Sequence, residues 1–229
     1  PLRDAALRWR LVRSPGDVAA SGLIEPGGVE VGNGVSLGSI EVPLAAMRAP
    51  ARLKLEVTVA TGRDAWVNDW DVWVYPPLPD LRVPSGVRVT TELDAEAEEA
   101  LGRGERVVWM IPPSRVRPDP GLGKVEVGFS SIFWNTAWTR RQAPHTLGIL
   151  CDPRHALFRE FPTEGHSNWQ WWYLVSRSGA MLLDGLPAGT EPLVRVIDDW
   201  FTARPLGLLV EVRVGRGRLL ACSIDLEPT

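Results

Sequence analysis

Arg52-Leu53-Lys54-Leu55-Glu56-Val57-Thr58-Val59 alternates apolar and polar side chains without a break. Successive side chains of an extended strand point to opposite faces, so Leu53, Leu55, Val57 and Val59 share one face and the polar set shares the other. That is a half-buried strand of an antiparallel sheet. Upstream, Ser39-Ile40-Glu41-Val42-Pro43-Leu44 alternates as well, and its proline hints at a sheet edge. Arg8-Trp9-Arg10-Leu11-Val12 predicts another short strand, and Asp69-Trp70-Asp71-Val72-Trp73-Val74-Tyr75 closes the set. Pro26-Gly27-Gly28 and Gly32-Asn33-Gly34 read as turns between them. Short strands at this spacing predict a β-sandwich.

Pro76-Pro77-Leu78-Pro79-Asp80 is the best boundary in the chain. Its prolines stiffen the backbone toward polyproline II and exclude a helix or a central strand. It separates a domain over residues 1–78 from a second over residues 79–229.

Beyond it the pattern changes. Val87-Arg88-Val89-Thr90-Thr91 predicts a strand. Asp94 then caps a short helix, with Glu96, Glu98 and Glu99 near the positive end of its dipole. Ala97, Ala100 and Leu101 form its apolar stripe, and Gly102 or Gly104 stops it. Arg106-Val107-Val108-Trp109-Met110-Ile111 is a nearly continuous apolar run, typical of a strand covered on both faces. Strand, helix and buried strand make one βαβ unit, which implies parallel pairing. Further strands are predicted over 192–197, 206–214 and 218–224, the last two joined by a hairpin turn at Gly215-Arg216-Gly217. The second half reads as α/β with an antiparallel edge.

Composition narrows the function classes. With 229 residues, 45% of them apolar and 23% charged, the chain can bury a real core. No apolar run approaches the roughly 18 residues a membrane helix needs. Lys and Arg number 25 against 28 Asp and Glu, a formal charge of -3, so no global field draws the chain to nucleic acid or to an acidic membrane. Cys151 and Cys222 allow one disulfide or two buried thiols, and a chain of this size needs no staple. The chain opens with Pro1, without a charged-then-apolar signal segment, and reads as a piece of something larger.

Chemistry is sparse. His145, His155 and His166 lie ten and eleven residues apart, which is not a metal-ligand spacing, and no metal or cofactor is expected. The segment around Cys151 lacks the glycines of a nucleophile elbow, and Pro153 follows closely. Asp198 and Asp199 are neighbours on a predicted strand, point to opposite faces and make a poor acid/base pair. Loop capping suits them better, although acidic residues at strand ends also sit where α/β sheets bind ligands. The densest feature is Asn168-Trp169-Gln170-Trp171-Trp172-Tyr173, with Phe133-Trp134-Asn135 and Trp138 upstream. Rings beside amides suit sugars, whose C–H faces stack while their hydroxyls pair. The same rings could instead fill a core. Four aromatics in five positions cannot all face one way, so at least one reaches a surface or an interface.

Asn68-Asp69-Trp70-Asp71-Val72-Trp73-Val74-Tyr75-Pro76 resembles the final strand of the immunoglobulin-like β-sandwich that follows the catalytic barrel in bacterial glycoside hydrolase family 2 (β-galactosidase-like) proteins. Phe133-Trp134-Asn135, His145-Thr146-Leu147-Gly148-Ile149-Leu150, Phe161-Pro162-Thr163-Glu164, Trp169-Gln170-Trp171-Trp172 and Val196-Ile197-Asp198-Asp199-Trp200 resemble phrases of a further C-terminal domain in a subset of them. That domain is similar to the flavodoxin-like, class I glutamine-amidotransferase-like α/β fold without its catalytic cysteine. The family's catalytic glutamates sit on a barrel of about 250 residues, and no position here matches their motifs. The resemblance therefore implies a non-catalytic accessory region of a glycosidase. It would support an upstream catalytic domain, self-associate, or bind carbohydrate as a dedicated module, in an extracytoplasmic or a cytoplasmic bacterial setting. The binding candidates are Trp134, Asn135, Trp138, His166, Trp169, Gln170 and Asp199.

Overall fold

The computed structural model describes residues 1–77, 82–129, 139–140 and 142–226. Strand accounts for 42% of the described residues and helix for 12%, so the fold is β-rich. Two compact units form: Pro1–Pro79 with Ala156–Thr163, and Asp80–His155 with Glu164–Thr229.

In the first unit β1 (Leu2–Ser14), β2 (Asp17–Val29), β3 (Ala51–Ala60) and β4 (Ala65–Val74) make one antiparallel sheet in the order β2-β1-β3-β4. Leu11 lies opposite Leu55, and Leu55 opposite Trp70, so the alternation in β3 sets the apolar face of the whole sheet. Leu11, Leu53 and Val74 form its core, and Val42, Met47 and Ala49 pack against them. The reverse face carries cross-strand ion pairs: Arg10 with Glu56 at 2.6 Å, Lys54 with Asp69 at 2.6 Å and Arg52 with Asp71 at 3.0 Å. Such exposed pairs add little stability singly, but they match the register that the apolar face dictates.

Two expectations fail here. The described residues of this unit form one sheet rather than the two of a sandwich, and the alternating segment around Pro43, expected to be an edge strand, is not a strand. Residues 39–43 are irregular and Leu44–Ala46 is a 3-10 turn. Pro43 has no N–H to give a ladder, and Val42 buries its side chain by packing alone. Conversely, Pro26-Gly27-Gly28 is no separator but part of β2. β2 is an edge strand in the sheet order, where a proline is tolerated. Gly27, at φ 72°, sits opposite Ala5 between two register shifts.

The second unit contains β5 (Val87–Thr90), α1 (Ala95–Arg103), β6 (Arg106–Met110), β7 (Thr146–Cys151), α2 (Trp172–Ser176), β8 (Met181–Leu182), β9 (Val194–Asp198), β10 (Leu206–Val214) and β11 (Gly217–Cys222). The sheet runs β5-β6-β11-β10-β9-β7, with β8 on β10. β5, β6 and β11 are parallel to one another. β11 to β10, β10 to β9 and β9 to β7 are antiparallel. The antiparallel part is thus more than an edge.

α1 makes the predicted crossover. Asp94 accepts from the Ala97 N–H at 2.8 Å, and Gly104, at φ 93°, ends the helix. Ala97, Ala100 and Leu101 bury against Val107 and Leu219. The helix lies so close to the sheet that a Cβ on Gly217 would fall 2.7 Å from the Leu101 carbonyl oxygen. β6 is not fully covered: Val107 is buried, while Val108, Trp109 and Met110 are half-buried.

Candidate functional site

β9 ends at Asp198, and the turn that leads into β10 is tied by three polar side chains. The Arg204 guanidinium donates from Nε to Asp198 Oδ2 and from Nη2 to Asp198 Oδ1, both at 2.8 Å, and its backbone N–H donates to the same Oδ2 at 2.7 Å. Its Nη1 reaches Asp119 Oδ2 at 2.9 Å. Asp119 Oδ1 in turn accepts from the Gly121 and Leu122 N–H groups. Those backbone donors first, and Arg204 besides, hold the Asp119 carboxyl below the usual carboxylate range. The carboxylate partners raise the Arg204 guanidinium further above its ordinary value, so it stays charged.

Asp199 binds its own turn. Its Oδ1 accepts from the Phe201 and Thr202 N–H groups at 2.9 and 3.0 Å, and its Oδ2 from the Thr202 hydroxyl at 2.9 Å. This is the Asx-type capping that suits a short acidic side chain. Both carboxylates are buried, yet the residues between them and Arg204 are not. Trp200 is 60% exposed and Phe201 64%, with their ring centroids 6.2 Å apart, edge to face. The knot thus holds two large rings at the surface.

Trp200 borders a groove of about 610 Å³ along β9, lined also by Leu150, Leu186, Arg195, Asp199 and Arg204. Leu150 and Leu186 leave apolar surface open there. The groove offers the Trp200 ring, aliphatic surface and rim charges. Asp198 and Asp199 spend their oxygens on the turn, so neither is placed as a proton shuttle.

The remaining candidates gather elsewhere. Asn168 caps the 3-10 turn Trp169–Trp171, its Oδ1 accepting from the Trp169 N–H at 2.7 Å, while its Nδ2 donates to Glu164 Oε2 at 2.5 Å. His166 Nε2 lies 3.8 Å from that same Glu164 oxygen. The aromatic run divides as the crowding argument requires: Trp171 is 2% exposed, whereas Trp169, Trp172 and Tyr173 are about half exposed. Trp172 meets Phe129 edge to face at 5.2 Å. Gln170 is half-buried.

His166 and Asp199 do not meet in one place. His166 bridges to Leu150 near the end of β7, whereas Asp198 lies opposite Thr146 at its start, about 13 Å away along the strand. Trp134, Asn135 and Trp138 lie outside the described residues.

A family model described as Domain of unknown function (DUF8487) matches residues 88–229. The chain belongs to the DUF8487 family. A second model, described as Domain of unknown function (DUF8488), matches residues 1–76. No curated protein matches the sequence. The DUF8487 portion holds the β9–β10 knot, the groove and the Trp169 turn.

Cys151, also in the DUF8487 portion, is not activated. Burial, with the Asp152 charge, pushes its thiol up to about 11, and its Sγ contacts the Glu164 carbonyl at 3.3 Å. Both cysteines are free. His145 is buried, its Nδ1 accepting from the Glu126 N–H at 3.2 Å. Among the described residues no group of three His, Cys, Asp or Glu is placed to hold a metal ion, and no helix is long and apolar enough to cross a membrane.

Reading the sequence singled out Asp199 but missed Phe201, Arg204 and Asp119. Two adjacent rings directly after two acids was the available signal for Phe201. The partnership of Asp119 with Arg204 spans 85 positions and leaves no local trace.

Proposed function

We propose that this chain is a non-catalytic accessory region of a glycoside hydrolase family 2 (β-galactosidase-like) protein, supporting its catalytic barrel and contributing carbohydrate contacts. In this reading the first unit stands in the place of the immunoglobulin-like domain. The second stands in the place of the glutamine-amidotransferase-like α/β domain, with β5-α1-β6 as its parallel part and no catalytic cysteine. The long phrases around Phe161, Trp169 and Val196 support the assignment.

The observation that carries the carbohydrate half is the Trp200–Phe201 pair. Exposing two large rings costs hydrophobic free energy that a monomer with no ligand has no reason to forgo. A buried ion-paired turn holds them beside a groove, which is preorganisation for a flat, partly apolar ligand.

Two measurements test the reading. The coding sequence upstream of Pro1 should encode a (β/α)₈ barrel bearing two catalytic glutamates, and an unrelated upstream sequence overturns the accessory role. Titration with galactosides and plant-wall oligosaccharides should perturb Trp200, with binding lost in Trp200→Ala. A flat response across that panel removes the carbohydrate contribution and leaves only support of the barrel.

The exposure of Trp169 and Trp172 favours a second reading, a dedicated carbohydrate-binding module built around an aromatic groove. It predicts binding that survives Trp200→Ala and is lost in Trp169→Ala.

A further inference from the structure

We propose that the Trp66–Asn68–Trp70 stripe of the first unit is a platform for an extended, neutral saccharide chain. β4 is an edge strand, and its pairing with β3 puts Trp66 opposite Val59, Asn68 opposite Val57 and Trp70 opposite Leu55. All three therefore lie on the apolar face of the sheet, in line with Val72 and Val74. At the Val74 end that face is covered by Val42, Met47 and Ala49. At the other end it opens, and Trp66 and Trp70 are 50% and 47% exposed. Among the described residues neither ring stacks on another aromatic ring.

Asn68 sits between the rings. Its Oδ1 accepts from the Asp69 N–H at 3.0 Å, which fixes the amide, and no described residue takes the two hydrogens of its Nδ2. Two open rings flanking a fixed amide donor match the surface of a pyranose chain, with apolar C–H faces alternating with hydroxyls.

Length and charge narrow the ligand. Positions four apart on a strand are about 13 Å apart, so one sugar ring cannot cover both tryptophans and successive residues of a chain can. β4 pairs with β3 from Ala65 to Val74 without a register shift, which keeps the strip stiff and the entropic cost of binding low. The acids of this strand, Asp69 and Asp71, point to the other face and are ion-paired there. With no charge on the stripe itself, a polyanion has nothing to bind.

The inference uses only the first unit and does not depend on the role of the Trp200 loop. The whole 229-residue chain is run by native electrophoresis through gels containing soluble galactomannan, xyloglucan or mixed-linkage β-glucan, one at a time. At least one should retard it. Affinity should fall about tenfold in Trp66→Ala and in Trp70→Ala, fall less in Asn68→Ala, be largely kept in Trp70→Phe and be unchanged in Val67→Ala, on the opposite face of the same strand. Circular dichroism and melting verify that each variant folds. Passage through all three gels without retardation overturns the proposal, as does retardation indifferent to the stripe variants. So does a dimer in sedimentation that Trp66→Ala dissolves, since the stripe would then belong to a second copy of the chain.

Discussion

Arg204 and Asp198 face one another across the β9–β10 turn in a two-pronged contact, both prongs 2.8 Å long, with side chains only 10% and 3% exposed. A paired guanidinium and carboxylate of this geometry is rigid, and removing either member strands the other in a place that water reaches poorly.

Arg204→Ala should therefore cost about 3 kcal/mol or more of folding stability, read from the midpoint of urea unfolding. Arg204→Lys should recover only part, because an ammonium cannot form both prongs. A loss below about 1 kcal/mol would mean that the turn is held by Asp199 alone.

Asp119 gives the same turn an acid dependence. Its folded carboxyl titrates below the unfolded value of about 4, so its contribution is fully present above that value and disappears as pH falls through the folded one. The stability lead of the native chain over Asp119→Asn should be constant from pH 7 to about 5 and shrink below about 4. Thermal melting at stepped pH measures it, and a lead that grows on acidification contradicts the assignment.

Cys151 should resist alkylation. With its thiol near 11, iodoacetamide at pH 8 should react about a hundredfold more slowly than with an unperturbed cysteine. Cys222, buried by the sheet, should react only on unfolding. Mass spectrometry of a time course separates the two, and rapid labelling of Cys151 at pH 7 would mark an activated thiol after all.

Local pattern carried much of the fold and little of the site. The alternation of Leu53, Leu55, Val57 and Val59 was readable as β3 because strand faces repeat every two residues. Asp94, Ala97, Ala100, Leu101 and Gly104 announced α1 through cap, stripe and stop. Val42 and Ile40 misled by the same rule, since alternation records which side chains are buried and not whether the backbone has a ladder partner. Pro26-Gly27-Gly28 misled because turn chemistry and edge-strand tolerance use the same residues. Partnerships such as Arg204 with Asp119 depend on the completed sheet, and Trp66 and Trp70 became distinct from core tryptophans only once Val42, Met47 and Ala49 were seen to cover one end of their face.

The placement of β11 between β6 and β10 bears on how the protein is made. Until residues 217–222 have left the ribosome, the β5-α1-β6 piece and the β7, β9 and β10 strands have nothing to join them, and two bare strand edges await a partner. Long-range closure of this kind is slow and prone to aggregation. The second unit should therefore fold only once β11 has emerged, and nascent chains stalled before residue 217 should be the species that chaperones hold.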